Sequence, residues 1–530
     1  MSPLLLRAFA LVVCPYFSTV ALAQCELETQ ELTPFDGEPG DTFGYRVERD
    51  GNVAVVAAPY DMDLGVQAGS AYVYEREGPG SDWVLAKKLL ASDGAAEDFF
   101  SYSVGVAGTT VAIGALHHSH PVEDGGAVYV FERDAGGPGN WGEVAHFTPE
   151  GTSAGAFFGY ALAMRGDLLL VGAPYQGQSV PGFAYLYRRD ASSATGWTLA
   201  DAFTSGDPAT AFEYGHDVAL HDGVMAVSGT RTPMFPYAPT YVAHVREQDV
   251  DGNWAEVARI ETPNSGMVWD FFAHELSLDA DRLAVVAPGE YDGNLGTVGA
   301  LYLYERDGYG HWERAERIPP PVPSFTAEEA DVRGDWLVAG LPSNNSVLVF
   351  HRNAGGPDAW GEVTSLSGDE PGSDFGVDLV LQGHELLVGN SYLFENDEAG
   401  EVYAFDLARL ALASWRSDGG GVNPDVLTTA TRPVLGTELE LDVALSATGH
   451  SLALLAIFSD SIEHALPSGA VLLGAHRLGA AQVGDPSHFA IAIPADATLC
   501  GLSVVAQAGL FGSGLPLALS NAQDLVLGAE

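Results

Sequence analysis

A block of four short strands recurs along most of this chain, and that repetition limits what it can fold into more than any other feature. The first copy, Asp41 to Leu90, opens with Phe43-Gly44-Tyr45. It turns at Asp50-Gly51 into the apolar run Val53–Ala57, continues through the alternating Ala71-Tyr72-Val73-Tyr74, and ends on a segment that carries Trp83. The aromatic opener returns at Phe100, Phe158, Tyr214, Phe272 and Phe375, and Thr326 fills the slot in the sixth copy. Sixteen residues after the openers come Pro59, Leu116, Pro174, Thr230, Pro288, Pro342 and Ser391. A Trp follows the third strand in six copies, at Trp83, Trp141, Trp197, Trp254, Trp312 and Trp360. Self-similarity with about four strands per copy points to the blades of a β-propeller.

The seventh copy ends after Phe405 without its Trp strand. Glu26–Phe35 with Asp36-Gly37 resembles the fourth strand of the first copy, Leu85–Ser92 with Asp93-Gly94. The N-terminal segment is therefore expected to complete the last blade and close a ring of seven, since an open ring would expose unpaired strand edges. The expected fold is all-β: a seven-bladed propeller over 24–408, a linker over 409–423, and a small C-terminal β-sandwich over 424–530.

The paired Phe-Gly and Gly-Ala-Pro segments resemble those of FG-GAP repeat proteins, which form the seven-bladed propeller of integrin α-subunits and of many secreted bacterial proteins. The matching residues are Phe43-Gly44 with Ala57-Ala58-Pro59 and Phe158-Gly159 with Gly172-Ala173-Pro174. Phe100 with Gly114-Ala115, Phe272 with Val286-Ala287-Pro288, and Phe375-Gly376 with Gly389 repeat the pattern. The resemblance implies a scaffold for binding or adhesion. It does not extend to the calcium loops of metal-binding members. Here the interval between Phe-Gly and Gly-Ala-Pro holds only a tight turn such as Asp50-Gly51 or Gly166-Asp167, with no room for six or more oxygen ligands. No cofactor is expected.

Charge narrows the partners. The formal net charge is −48, from 71 acidic against 23 basic residues. Such a surface repels phosphate backbones and anionic lipid heads, which disfavours nucleic acid and membrane surfaces. Residues 1–23 read as a secretory signal, with Arg7, an apolar run from Leu11 to Val20, and the Ala21-Leu22-Ala23 cleavage pattern. No later apolar run is long enough to span a bilayer. An exported protein is expected, secreted or held at the cell surface. Cys25 and Cys500 would remain after cleavage, a candidate disulfide in an oxidising compartment.

Beyond Leu407 the propeller pattern stops and Ser417–Asn423 reads as a flexible join. Strand-like runs at Glu438–Leu445, Leu452–Phe458, Phe489–Ile493 and Leu502–Val505 suggest the sandwich. The stretch 517–528 resembles the closing strand of C-terminal modules in exported bacterial proteins.

His117, His118 and His120, with Glu123 and Asp124 close behind, form the densest set of metal-type ligands. They share one loop with no fixed element to set their geometry, so no metal site is assigned. The loops between second and third strands gather on one face of a propeller. They carry Tyr60, Asp61, Tyr175, Tyr291 and Asp292, and the segment Arg231 to Tyr237 with Phe235. Arginine and aromatics exposed together suit interface anchors; Phe235 and Tyr237 could equally plug the central channel. The Trp positions and the Glu-Arg pairs (Glu75-Arg76, Glu132-Arg133, Glu305-Arg306) recur at one offset, which marks them as packing between blades.

No nucleophile elbow, zinc-protease helix, phosphate loop or dinucleotide fingerprint occurs. The leading expectation is an exported, non-catalytic scaffold that recognises an extracellular protein or glycan through its loop face. A propeller enzyme acting on extracellular polysaccharide is the first rival, and a structural envelope component the second. Convergent buried carboxylates at the channel mouth would favour the enzyme; an aromatic, Arg-containing face would favour binding.

Overall fold

In the computed structural model, seven four-stranded antiparallel sheets stand in a ring. The structure describes residues 27–175, 182–206, 213–231, 240–262, 270–292, 296–297, 299–318, 327–356, 359–368, 373–392, 398–410 and 412–416, and from 427 to 527 the strands with their adjoining residues. The signal-like segment, Cys25, Cys500, Phe235 and Tyr237 lie outside them.

Each blade runs outward from the ring axis in sequence order. In blade 1 the strands are Val47–Asp50, Val53–Ala58, Ser70–Glu75 and Val84–Leu89. The second strand, VAVVAA, is buried along its whole length because neighbouring blades cover both faces. The outermost strand is mostly uncovered, and Lys87 and Lys88 sit there. The aromatic openers Phe43, Phe100, Phe158, Tyr214, Phe272 and Phe375 are all buried between blades. Phe43 meets Tyr72 edge-on at 5.2 Å, and Phe100 meets Tyr129 at 5.3 Å, a geometry that ring quadrupoles favour.

The ring closes as the sequence suggests. Glu28–Leu32 pairs antiparallel with Glu401–Asp406 and becomes the outer strand of blade 7. Gln30 fastens it to blade 1: its side-chain amide donates to the Trp83 carbonyl (2.8 Å) and accepts from the Trp83 N–H (2.6 Å).

The repeated glycines mark where backbones touch. Gly44 has φ +89° and its carbonyl lies against the α-carbon of Gly389 in blade 7, so a Cβ on Gly389 would collide with it. Gly159 of blade 3 lies in the same way against Gly114 of blade 2. The Phe-Gly of one blade thus seats on the Gly-Ala segment of the blade before it.

The Glu-Arg positions are structural as well. The Glu75 carboxylate accepts from Arg133 Nε (2.9 Å) and from the Trp141 indole N–H (2.7 Å), both in blade 2. Glu247 bridges to Arg306 and Trp312 of blade 5 in the same pattern.

The C-terminal part forms a five-stranded sheet, with strands in the order Leu412–Arg416, Ala518–Val526, Ser503–Phe511, Leu452–Phe458 and His476–Gln482. A three-stranded sheet of Leu427–Thr429, Glu438–Val443 and Ser487–Ala492 faces the same apolar cluster. Leu439, Leu441 and Phe489 of the smaller sheet meet Leu455, Ala508 and Leu525 of the larger one there. Leu412–Arg416, within the segment expected to be a linker, is paired into this larger sheet.

Candidate functional site: the channel and its aromatic mouth

The inner strands of all seven blades line a central cavity of about 400 Å³. Two layers near the opener end give it chemical character. The first consists of the residues two places after each opener. Tyr45, Tyr102, Tyr160, His216 and His274, from blades 1 to 5, form an unbroken arc with successive ring centroids 5.6, 5.3, 4.9 and 5.4 Å apart. Burial and the neighbouring His274 and Arg46 push His216 down to about 3, so its ring is neutral. Tyr160 can then donate its hydroxyl proton to His216 Nε2, 3.1 Å away.

A second arc stands outside the first, built from the loops. Tyr60, Phe99, His117, Phe157 and Tyr175 follow one another at 5.3, 5.2, 4.9 and 5.6 Å. Phe99 and Phe157 precede the openers and hold φ near +50°, a left-handed conformation unusual for a bulky residue that lets the next ring turn into the core. Tyr175 meets Tyr160 at 6.4 Å and joins the two arcs. All ten rings are partly exposed.

One residue deeper lies a charged layer. Arg46 reaches across the channel to Glu275 (3.1 Å), Glu329 (3.1 Å) and Asp378 (2.9 Å), which come from blades 5, 6 and 7. Burial alone would lower the Arg46 pKa, but these three acids outweigh it and hold the guanidinium charged. Burial and Glu275 push Asp217 well up, and burial with Glu275 and Asp378 does the same to Glu329. Asp378 is raised to about 6 by burial, against the pull of Arg46. Further in, burial with Asp331 and Asp378 lifts Glu48 to about 8.

These carboxylates also cap strand edges. Asp378 accepts the Val47 N–H, Asp217 accepts the Leu276 N–H (2.7 Å), and Asp331 accepts the Leu381 N–H (2.8 Å), each in the following blade. The inner edge of each sheet has N–H groups with no further strand to pair with. The acid layer supplies acceptors where the axis leaves no room for one.

The residues expected to form a site fare differently. Tyr60 and Tyr175 belong to the outer arc. Asp61 is buried, accepting from Ser70 Oγ (2.8 Å) and pairing with Lys88 (2.8 Å), so it braces its own loop. Tyr291-Asp292 forms a two-residue ladder with Gly296-Thr297, and Arg231 ends a strand opposite Thr240. His117 and His118 are drawn apart: His117 Nδ1 faces Asp124 (3.0 Å), whereas His118 Nδ1 faces Asp98 (3.2 Å). His120 is exposed. Among the described residues, no group of three or more His, Cys, Asp or Glu side chains is arranged to hold a metal ion, and no helix is long and apolar enough to cross a membrane.

A family model for the FG-GAP repeat matches residues 27–74, 83–131 and 141–187, which take in the closing strand, the strands of blades 1 and 2, and the first strands of blade 3 without its outer strand. No curated protein matches the chain. Solved structures are similar at low identity. The Pseudomonas aeruginosa periplasmic gluconolactonase PpgL is 12% identical over 84% of this chain and 99% of its own, with a TM-score of 0.44. Sqt1 from Saccharomyces cerevisiae is 10% identical over 72% and 99%, with a TM-score of 0.42. The β-propeller domain of the Trilobed protease from Pyrococcus furiosus is 10% identical over 68% and 93%, with a TM-score of 0.39. Similarity at this level carries no functional argument. The chain therefore carries FG-GAP repeats in these three segments and folds as a seven-bladed β-propeller.

Proposed function

We propose that the protein is an exported binding module that recognises an extracellular glycan or protein at the mouth of its channel. The double arc of partly exposed aromatics carries this reading. Ten half-buried rings in successive contact run around the channel mouth from blade 1 to blade 5, and aromatic rings offer large contact area at small entropic cost. The acid layer beneath is already engaged with Arg46 and strand N–H groups, which suits a fixed floor better than a set of free catalytic groups.

The test is binding of the purified protein to an array of glycans and matrix proteins, with calcium and then with chelator. A Tyr102→Ala/Phe157→Ala variant is run beside it. Calcium-independent binding that the variant loses, with its melting temperature within a few degrees of the parent, is the expected result. Binding that the variant retains would remove the mouth from consideration.

A polysaccharide-cleaving enzyme is the second reading, favoured by the convergence of Asp217, Glu275, Glu329 and Asp378 with raised carboxyl pKa values among them. Release of reducing ends or of unsaturated sugars from a polysaccharide panel, abolished in Glu329→Gln, would establish it.

A further inference from the structure

At the seam where blade 7 meets blade 1, and at the opposite end of the inner strand from Tyr45, a second cavity of about 230 Å³ opens beside the N-terminal strand. Arg49 and Arg76 stand in its wall, and their side chains are only 2% and 4% exposed. Both stack on Trp83, with guanidinium carbons 5.3 and 4.5 Å from the ring centroid. Glu385 is their shared carboxylate. It accepts from Arg76 Nη1 (2.8 Å) and Nη2 (2.7 Å) and from Arg49 Nη2 (3.0 Å).

Glu385 does not satisfy every donor of the two guanidiniums. Arg49 Nε and Nη1 and Arg76 Nε are buried with no hydrogen-bond partner. Stacking on Trp83 covers the faces of the two groups but leaves in-plane N–H bonds unsatisfied. Asp406, also in the wall, is taken by Arg409 (3.1 Å), while Glu28 and Asp82 lie at the exposed rim. The inner wall therefore carries one buried positive charge in excess, with three orphan donors, and an uncompensated buried charge is costly.

We infer that this seam cavity is a binding site for a small oxyanion, a carboxylate, sulfate or phosphate group that bridges Arg49 and Arg76. Guanidinium edges match the oxygens of such groups. The cavity exceeds the size of a halide and accommodates a free ion or the acidic substituent of a larger molecule. The chain's net charge of −48 opposes anions at a distance, but salt screens that field beyond about 8–10 Å. The two arginines act at contact.

Calorimetric titration of the purified protein with sodium sulfate, phosphate and acetate, at ionic strength held constant with sodium chloride, tests the inference. One oxyanion per chain is expected to bind saturably. Arg49→Gln should weaken it tenfold or more. Glu385→Gln, which removes the internal competitor, should tighten it several-fold. The opposite signs separate a charge-built site from general damage to the seam. Absence of saturable binding, or equal binding in both variants, overturns the proposal. If neither variant folds, a selenate soak of crystals of the unaltered protein decides: an anomalous peak between Arg49 and Arg76 supports the site, and none refutes it.

Discussion

The carbonyl of Gly44 rests on the α-carbon of Gly389, and through that contact the first blade seats on the last. Gly389 has an ordinary backbone conformation, so its lack of a side chain is a matter of space alone. Gly51, in contrast, has φ +60° with open space around it. Gly389→Ala should cost about 1–3 kcal/mol through overpacking, and Gly51→Ala about 1 kcal/mol through its left-handed backbone. Urea denaturation of the two variants would order them. A Gly389→Ala protein as stable as the parent would show that the blades are not in contact there.

Arg46 is the one cation among the channel acids two residues beyond the Phe-Gly motif. Replacing it with Met leaves Glu275, Glu329 and Asp378 without their shared partner. Removing one member of a buried pair costs about 3–5 kcal/mol, and the channel's partial access to water should place this variant near the lower end. The deficit should be larger at pH 8 than at pH 5, because protonation relieves Glu329 and Asp378, whose carboxyls burial already raises. Denaturation midpoints at the two pH values would check both size and sign.

Glu48 gives a cleaner pH effect. Its carboxyl is raised by burial to about 8, so the folded protein holds a proton that the unfolded chain releases near pH 4. Stability from this group is fully present below pH 4 and is lost as the pH rises toward 8. Glu48→Gln, which mimics the protonated form, should therefore raise the melting temperature at pH 8–9 and leave it nearly unchanged at pH 4. A variant equally shifted at both values would contradict a proton held at Glu48.

The Glu75 latch can be tested at its acceptor. Glu75→Ala orphans the Trp141 indole N–H between blades 1 and 2 and should cost about 1–3 kcal/mol. Arg133→Ala, removing a partner that is 38% exposed, should cost below about 1 kcal/mol. Equal losses would mean that the ion pair, and not the indole, carries the latch.

The propeller was legible because each blade repeats the same buried positions, and burial between blades demands apolar or aromatic residues at every one. The channel was not. Arg46, Asp217, Glu275, Glu329 and Asp378 occupy one offset, three residues after the opener, but they differ from blade to blade and lie far apart in the chain. Each looks like an isolated charge until the ring brings the copies together; aligning the residues at that offset would have exposed the layer. The inner aromatic arc was hidden in the same way. Asp61 was misleading for a local reason: an acid in a loop suggests exposure, but Ser70 and Lys88 fold the loop over it.

The closing strand has a consequence for the order of assembly. Thr29 bonds to Ala404 across a sequence separation of 375, so a segment made ahead of all seven blades is among the last to find its place. Until blade 7 exists, Glu28–Leu32 has no sheet to join, and once blade 7 forms, its outer edge stays open until that strand returns. Contacts so distant in sequence slow folding, and the exposed edge is the place where a neighbouring chain could intrude. The Gln30 clasp on Trp83 can form earlier, since blade 1 follows directly. It would hold the strand near the seam while the remaining blades are made.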